Sequence, residues 1–204
     1  MTPLPPLVGL IGKKRVGKDT FAAVLVEEFG FARVAFANPL KEMALTIDPI
    51  ITAYTDDLGD DRLAYLVSEL GWEHVKDTYP EVRRFLQRLG DGVRQFDPEF
   101  WLRAGMYTVH KARGARGPDL YTWPDDPRPV VITDVRYPNE ADAIRDAGGI
   151  LVRIVRPEVD DGDTHASETA LDDYAVEHTF YNHADIETFR DEVREGWVEI
   201  SKPY

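Results

Sequence analysis

The chain of 204 residues has no cysteine and only three methionines. Without thiols, disulfides and thiolate-bound metals are excluded, and a reducing cytoplasm is the expected compartment. No apolar run approaches the roughly 20 residues that cross a bilayer, and the N-terminus lacks a signal-peptide pattern, so no membrane is expected as a partner. Positive charge is also scarce: 24 Lys and Arg stand against 37 Asp and Glu, a net of −13, which argues against a general nucleic-acid binder. The deficit is uneven. Between Asp160 and Tyr204 there are 13 acidic and 3 basic residues, leaving the remainder of the chain only slightly negative. Its cations gather in Lys13-Lys14-Arg15-Lys18 and in Arg83-Arg84-Arg88-Arg94. Hydrophobic content of 43% describes a globular protein, and the length suits one domain with a real core.

The first basic cluster has a specific setting. Residues 12–20 read Gly12-Lys13-Lys14-Arg15-Val16-Gly17-Lys18-Asp19-Thr20, directly after the apolar run Leu7–Ile11. A buried strand entering a glycine-flanked loop that ends in lysine is the sequence form of a phosphate-binding loop. Gly12 and Gly17 let backbone N–H groups turn inward, and Lys18 supplies a point charge near the β/γ oxygens. Lys18–Phe29 reads as a helix whose positive N-terminus faces the same phosphates. A bound nucleoside triphosphate is therefore expected. The position after the lysine, usually Ser or Thr reaching magnesium, is Asp19, with Thr20 behind it.

Apolar runs alternate with helical patterns, which argues for an α/β fold with a parallel sheet and crossover helices. The expected strands are Leu7–Ile11, Ala32–Phe36, Val130–Asp134, Ile150–Val155 and His178–Tyr181. Asn38-Pro39 reads as a cap and first helical position for a helix to about Thr46. Further helices are expected near 60–70, 80–89, 98–112, 138–147 and 185–196. Residues from about 48 to 113 contain no convincing strand and read as a helical insertion into a core of 1–47 and 129–204. The proline-rich stretch 114–129 reads as a loop.

Val130–Asp134 is a hydrophobic strand ending in a carboxylate, suited to a metal shell beside a phosphate loop, and Arg136 follows two residues on. The alternative is a simple Asp134–Arg136 surface pair. In Pro80–Gly90, residues Val82, Phe85, Leu86 and Leu89 make a buried helical stripe, with Pro80 starting the helix and Gly90 stopping it. Arg83 and Gln87 share a neighbouring face, as a phosphate-and-base kit or as solvated side chains. Trp101 is either core or a stacking platform. Arg153 and Arg156 offer charge to a transferring group as strand Ile150–Val155 enters an acidic stretch that precedes His165-Ala166-Ser167-Glu168. That segment, about 156–170, reads as a lid; Ser167 could equally be a helix cap and His165 a surface residue.

Several segments together resemble the deoxynucleoside monophosphate kinases of bacteriophages: Gly12–Thr20, Phe36–Lys41, Val82-Arg83 with Leu86–Gly90, Phe100-Trp101, Asp134–Glu140 and His165–Glu168. The resemblance runs over nearly the whole chain in order, leaving out mainly Asp48–Tyr79 and Gly114–Pro129. It implies a three-layer α/β/α kinase with a mostly parallel five-stranded sheet. It also implies transfer of the ATP γ-phosphoryl group to a deoxynucleoside monophosphate, with Mg2+, in the host cytoplasm if the chain is phage-encoded, and it allows a homodimer. By the same resemblance Lys18 contacts the β/γ-phosphates, and Asp134 with Asp19 serves the metal. Lys41, Arg83, Gln87 and Trp101 face the acceptor, Arg136 and Glu140 line the cleft, and Arg156 with His165, Ser167 and Glu168 forms the lid. Family members often carry Gly-Thr where this chain has Gly90-Asp91, which bears on base preference. Rival readings are a phosphate-loop kinase for phosphomevalonate or dephospho-coenzyme A, and a nucleotide-dependent switch without kinase chemistry.

Overall fold

In the structure, a computed structural model, residues 6–52, 61–114, 126–157 and 169–202 are described. Strand β1 (Leu7–Ile11) is the middle of a five-stranded sheet ordered β2-β5-β1-β6-β7. The others are β2 (Ala32–Val34), β5 (Val130–Ile132), β6 (Ile150–Val155) and β7 (His178–Tyr181). Every pairing is parallel, with Gly9 opposite both Ile132 and Leu151. All five β1 residues are buried, as expected where helices cover both faces of a parallel sheet. Alternation assigns those faces. Val8, Leu10, Val131, Val152 and Ile154 pack with Phe21 and Leu25 of α1 (Lys18–Phe29) and with Phe189, Val193 and Trp197 of a helix at 186–200. On the opposite face Ile144, from a helix at 138–146, closes over Gly9, where a Cβ would come within 2.7 Å of its Cδ1. Helix, sheet and helix are the three layers.

Two strands end earlier than the sequence predicts. β2 stops at Val34 rather than Phe36, and β5 at Ile132 rather than Asp134, although Thr133 N still donates to Val34 O at 3.2 Å. β2 is an edge strand with only β5 to pair with, so nothing holds it extended once β5 leaves the sheet.

The chain divides into two compact units: residues 36–105, and the sheet-bearing remainder. The smaller unit contains α2 (Asn38–Ile47), β3 (Ile50–Thr52), β4 (Asp61–Arg62), α3 (Leu63–Thr78), α4 (Pro80–Phe96) and the start of α5 (Phe100–Ala112). Its core is Ala44, Leu63, Leu66, Val75 and Val82, flanked by Trp72, Phe85, Leu86 and Leu89. Three expectations need correction here. β3 and β4 form a small antiparallel pair where no strand was expected. Two- and three-residue strands are too short to leave an alternating pattern. In α2 the N-cap is Ala37, and Asn38 is already helical without a capping side-chain bond. Gly90 does not stop α4, which runs on to Phe96. Gly90 keeps a helical backbone, sits buried, and its carbonyl accepts from Trp101 Nε1 at 3.1 Å.

The remaining helices among the described residues are α6 (Pro138–Asp146) and α7 (Ile186–Ile200), the latter capped by Asp185, whose Oδ1 accepts from Glu187 N and Thr188 N at 3.0 Å. No described helix is long and apolar enough to cross a membrane.

At the end of α5, Arg113 is 3% exposed and donates from Nη1 to Ala147 O at 2.9 Å. Nearby, His110 has a buried Nδ1 with no hydrogen-bond partner among the described residues. Burial first, and then the Arg113 charge, pushes the imidazole pKa below its usual value. The folded state thus resists protonation that the unfolded chain accepts near pH 6.5, so this contribution to stability is present above about pH 6.5 and is lost as pH falls below it. Urea midpoints should therefore drop between pH 7 and pH 5.5, and the drop should shrink in His110→Phe; an equal drop in both would assign the acid sensitivity elsewhere.

Candidate functional site

β1 ends at Ile11 and α1 begins at Lys18, so six residues turn the chain from sheet to helix. The turn needs left-handed backbone at three positions: Gly12 (φ 144°), Arg15 (φ 63°) and Gly17 (φ 110°). At Gly12 no side chain fits, since a Cβ would stand 2.4 Å from Ile154 O. Val16 is 3% exposed and anchors the loop in the core between its two glycines. Lys18 folds back, and its Nζ donates to Gly12 O and Lys13 O, each at 2.5 Å. The loop is thereby wrapped around its own ammonium group at the N-terminus of α1, an arrangement suited to a polyphosphate. Lys13 and Lys14 are half-buried beside it and Arg15 is exposed.

Asp19 lies in the first turn of α1 and its carboxylate pairs with Arg33 of β2. That carboxylate is 80% exposed, so the pair contributes little to stability. Thr20, one residue on, is half-buried.

Beside the loop is a hollow of about 310 Å³ lined by Gly12, Lys13, Val16, Arg153, Arg156 and Asp172, among others. Arg153 departs from its expected role. Its Nη2 donates to Leu171 O at 2.8 Å and to Tyr174 O at 2.6 Å, which fastens the turn after Thr169 to β6. The same turn is held from α6: Arg145 donates to Ala175 O and Glu177 and lies over the Tyr174 ring. Arg156, directly after β6, lines the same hollow.

β5 neighbours β1, so the segment after Ile132 leaves the sheet at the same edge as the phosphate loop, where ligands bind in open α/β folds. Thr133 and Val135 are buried, and Val135 is turned against Gly9. Asp134 and Arg136, half-buried, alternate with Val135 in the backbone. Glu140 is a correction. Instead of lining a cleft it is 2% exposed, and its Oε2 accepts from Arg136 N at 2.8 Å and Tyr137 N at 3.2 Å. As the third residue of α6 it reaches back to the N-cap, the glutamate half of a capping box. It therefore shapes the Asp134–Tyr137 turn from behind.

The residues expected at the acceptor, Lys41, Arg83, Gln87 and Trp101, all belong to the smaller unit. Trp101 is core: it is 3% exposed with its indole N–H bonded to Gly90 O, so it is no stacking platform. Arg83 is turned to the C-terminus of α3, donating from Nε to Lys76 O at 2.8 Å and pairing with Asp77 at 2.5 Å. Carbonyls at a helix C-terminus attract a guanidinium for the same reason that phosphate would. Lys41 Nζ sits 5.7 Å from the Trp72 ring centroid, a cation–π contact, and Gln87 is exposed on α4. His165, Ser167 and Glu168 lie outside the described residues.

Sequence reasoning passed over Asn182. It is 6% exposed, directly after β7, and its Nδ2 donates to Val16 O at 2.9 Å. β7 is half polar and half exposed, so nothing in the local sequence marked Asn182 out.

A parallel sheet with the phosphate loop after its central strand, helices on both faces and a helical second unit defines a phosphate-loop α/β kinase. The chain belongs to the deoxynucleotide monophosphate kinase family, whose model matches residues 66–193. It is a nucleotide kinase, a phosphotransferase. A protein of Acanthamoeba polyphaga mimivirus, provisionally named a deoxynucleotide monophosphate kinase, is 34% identical over 172 residues, covering 81% of each chain. The deoxynucleotide monophosphate kinase of Enterobacteria phage T4 is 22% identical over 81% of this chain and 87% of its own. An uncharacterized protein of Ictalurid herpesvirus 1 is 31% identical over 74% of this chain and 72% of its own. A solved shikimate kinase from Aquifex aeolicus covers 96% of this chain and 98% of its own at 10% identity and a TM-score of 0.43, a distant likeness.

Proposed function

We propose that the protein transfers the γ-phosphoryl group of ATP to a deoxynucleoside 5′-monophosphate, giving the diphosphate and ADP. The observation that carries the donor side is Lys18 Nζ held between Gly12 O and Lys13 O, inside a loop turned by left-handed backbone at Gly12 and Gly17. Family membership supports the acceptor class.

An oxygen of the acceptor phosphate attacks the γ-phosphorus in line. The bond to the β–γ bridging oxygen breaks, and ADP leaves with those electrons. Such a transfer needs positioning and neutralisation of charge more than covalent help. Lys18 and the amides of residues 13–18 hold the β/γ-phosphates. Arg136 and Arg156 supply guanidinium charge to the moving group. On the acceptor side Lys41 and Gln87 are the proposed contacts, with Arg83 joining when a phosphate competes with the α3 carbonyls.

The donor set fits Mg2+: Asp134, with Asp19 or the Thr20 hydroxyl, offers hard oxygen ligands at the loop's edge. Among the described residues no three His, Cys, Asp or Glu side chains converge, which suits an ion that takes its other ligands from water and substrate phosphates. When bound, Mg2+ would add positive charge at the phosphates.

A coupled ADP-release assay tests this, with ATP and magnesium against dGMP, dTMP, dCMP, dAMP, their ribose counterparts and phosphomevalonate. Turnover of about 1–100 s⁻¹ with at least one deoxynucleotide is expected. Activity confined to phosphomevalonate, or slow hydrolysis indifferent to every acceptor, would refute the acceptor assignment.

A further inference from the structure

We propose that Asn182 is a positioning residue of the phosphate loop, fixing the Val16–Gly17 peptide so that the Gly17 N–H faces the nucleotide phosphates. The inference deepens the donor-side reading above and rests on it. Its starting point is a contact between the two ends of the chain, 166 residues apart in sequence. Asn182 N donates to Val155 O at 2.8 Å, which extends the β6–β7 ladder one residue beyond Tyr181 and fixes the Asn182 backbone. From that anchored position the side chain reaches the loop, and Nδ2 donates to Val16 O at 2.9 Å.

The consequence follows from peptide geometry. In a planar trans peptide the C=O and the next N–H point in opposite directions. Drawing Val16 O toward β7 therefore turns Gly17 N–H away from β7. Gly17 is the N-cap of α1, at φ 110° and ψ 14°, so this amide belongs to the positive end of the helix. Packing closes the same joint. A Cβ on Gly17 would lie 2.7 Å from Asn182 Nδ2 and 3.0 Å from Phe189 Cε1, so Gly17, Asn182 and Phe189 meet without room for another atom.

Val16 is already secured by burial of its own side chain in the core. What Asn182 adds is the orientation of one carbonyl, hence of one phosphate-facing amide. A neutral donor is what the position requires. A carboxylate of the same shape would repel both Val16 O and the phosphates.

The test compares Asn182→Asp and Asn182→Ala with wild type by calorimetric titration of ATP in the absence of acceptor, followed by steady-state kinetics. In both variants the ATP Kd should rise about 10- to 100-fold, more for Asp although it is the closer isostere, while the acceptor KM stays within about twofold. Weakened thermal stability with an ATP Kd within about twofold of wild type would overturn the proposal and leave Asn182 a packing residue. A second measurement needs no variant: the Gly17 amide resonance of the wild-type protein should shift on adding ATP. An unmoved Gly17 amide in a protein that binds ATP would refute the assignment even if both variants fail to fold. A wild-type protein that binds no ATP would refute the donor-side reading itself, before any variant is made.

Discussion

Lys18→Ala is expected to lower kcat by at least about a thousandfold while the protein still folds. The ammonium group is the charge that the loop surrounds, bonded at 2.5 Å to two of its carbonyls. Those bonds draw Lys18 into the concavity, so the charge is in place before a nucleotide arrives and need not be reorganised during transfer. Fold stability rests elsewhere, on Val8, Leu10, Phe21, Leu25, Val152 and Phe189, none of which packs through the lysine head group. Losing two side-chain hydrogen bonds to partly buried carbonyls costs about 1–3 kcal/mol. Lys18→Arg should be nearly as inactive, because a planar fork cannot replace a compact ammonium held at 2.5 Å by the carbonyls of Gly12 and Lys13. The coupled assay and a thermal melt on the same preparations decide the matter. A folded Lys18→Ala protein with near-normal kcat would remove residues 12–18 from the chemistry.

The phosphate loop was legible because its determinants are local. Nine consecutive residues carry the turn glycines, the lysine and the helix start, whereas the Asn182 bond to Val16 O comes from far along the chain and left no local sign. The sheet was legible for a similar reason: buried parallel strands read as apolar runs, and Leu7–Ile11 and Ile150–Val155 match their observed bounds, as does the half-exposed edge strand His178–Tyr181. Side chains whose partners are distant were harder to place. Periodicity places Arg83 on an exposed face of α4, but not that the last carbonyls of α3 lie within its reach. A tryptophan after a helix start reads equally as platform or core, and the Gly90 carbonyl decides it. Gly90 itself reads as a stop signal, yet α4 runs on through it and its carbonyl accepts the Trp101 indole N–H. β3 and β4 escaped because their pairing is a relation between two segments too short to carry a pattern of their own.

The acceptor-side expectations fell mostly on the smaller unit, and the donor-side expectations on the larger. The structure gives Trp101 and Arg83 partners within their own unit. Lys41 likewise contacts Trp72 within that unit, and acceptor-KM measurements on Lys41 and Gln87 test the proposed acceptor contacts there.

Glu140 tests the distinction between touching a substrate and shaping the turn that does. The sequence reading has it lining the cleft; the structure has its carboxyl receiving the amides of Arg136 and Tyr137 at 2% exposure. Glu140→Ala leaves two amides at the start of α6 without their acceptor, each costing about 1–3 kcal/mol where water does not reach. Together these cost about 2–6 kcal/mol, so the melting temperature should fall by about 4–24 °C for a chain of this size. Arg136 loses its fixed backbone at the same stroke, so kcat should fall with it, while the KM for ATP, set by the separate loop after β1, should hold. Glu140→Gln keeps a carbonyl oxygen in the same place and should recover most of both losses. A direct substrate contact predicts another pattern: Glu140→Ala would melt like wild type, its acceptor KM would rise steeply, and the amide would rescue nothing. Melting curves and a two-substrate kinetic matrix on the two variants separate these outcomes, because only the positioning role ties stability and kcat to a single pair of hydrogen bonds.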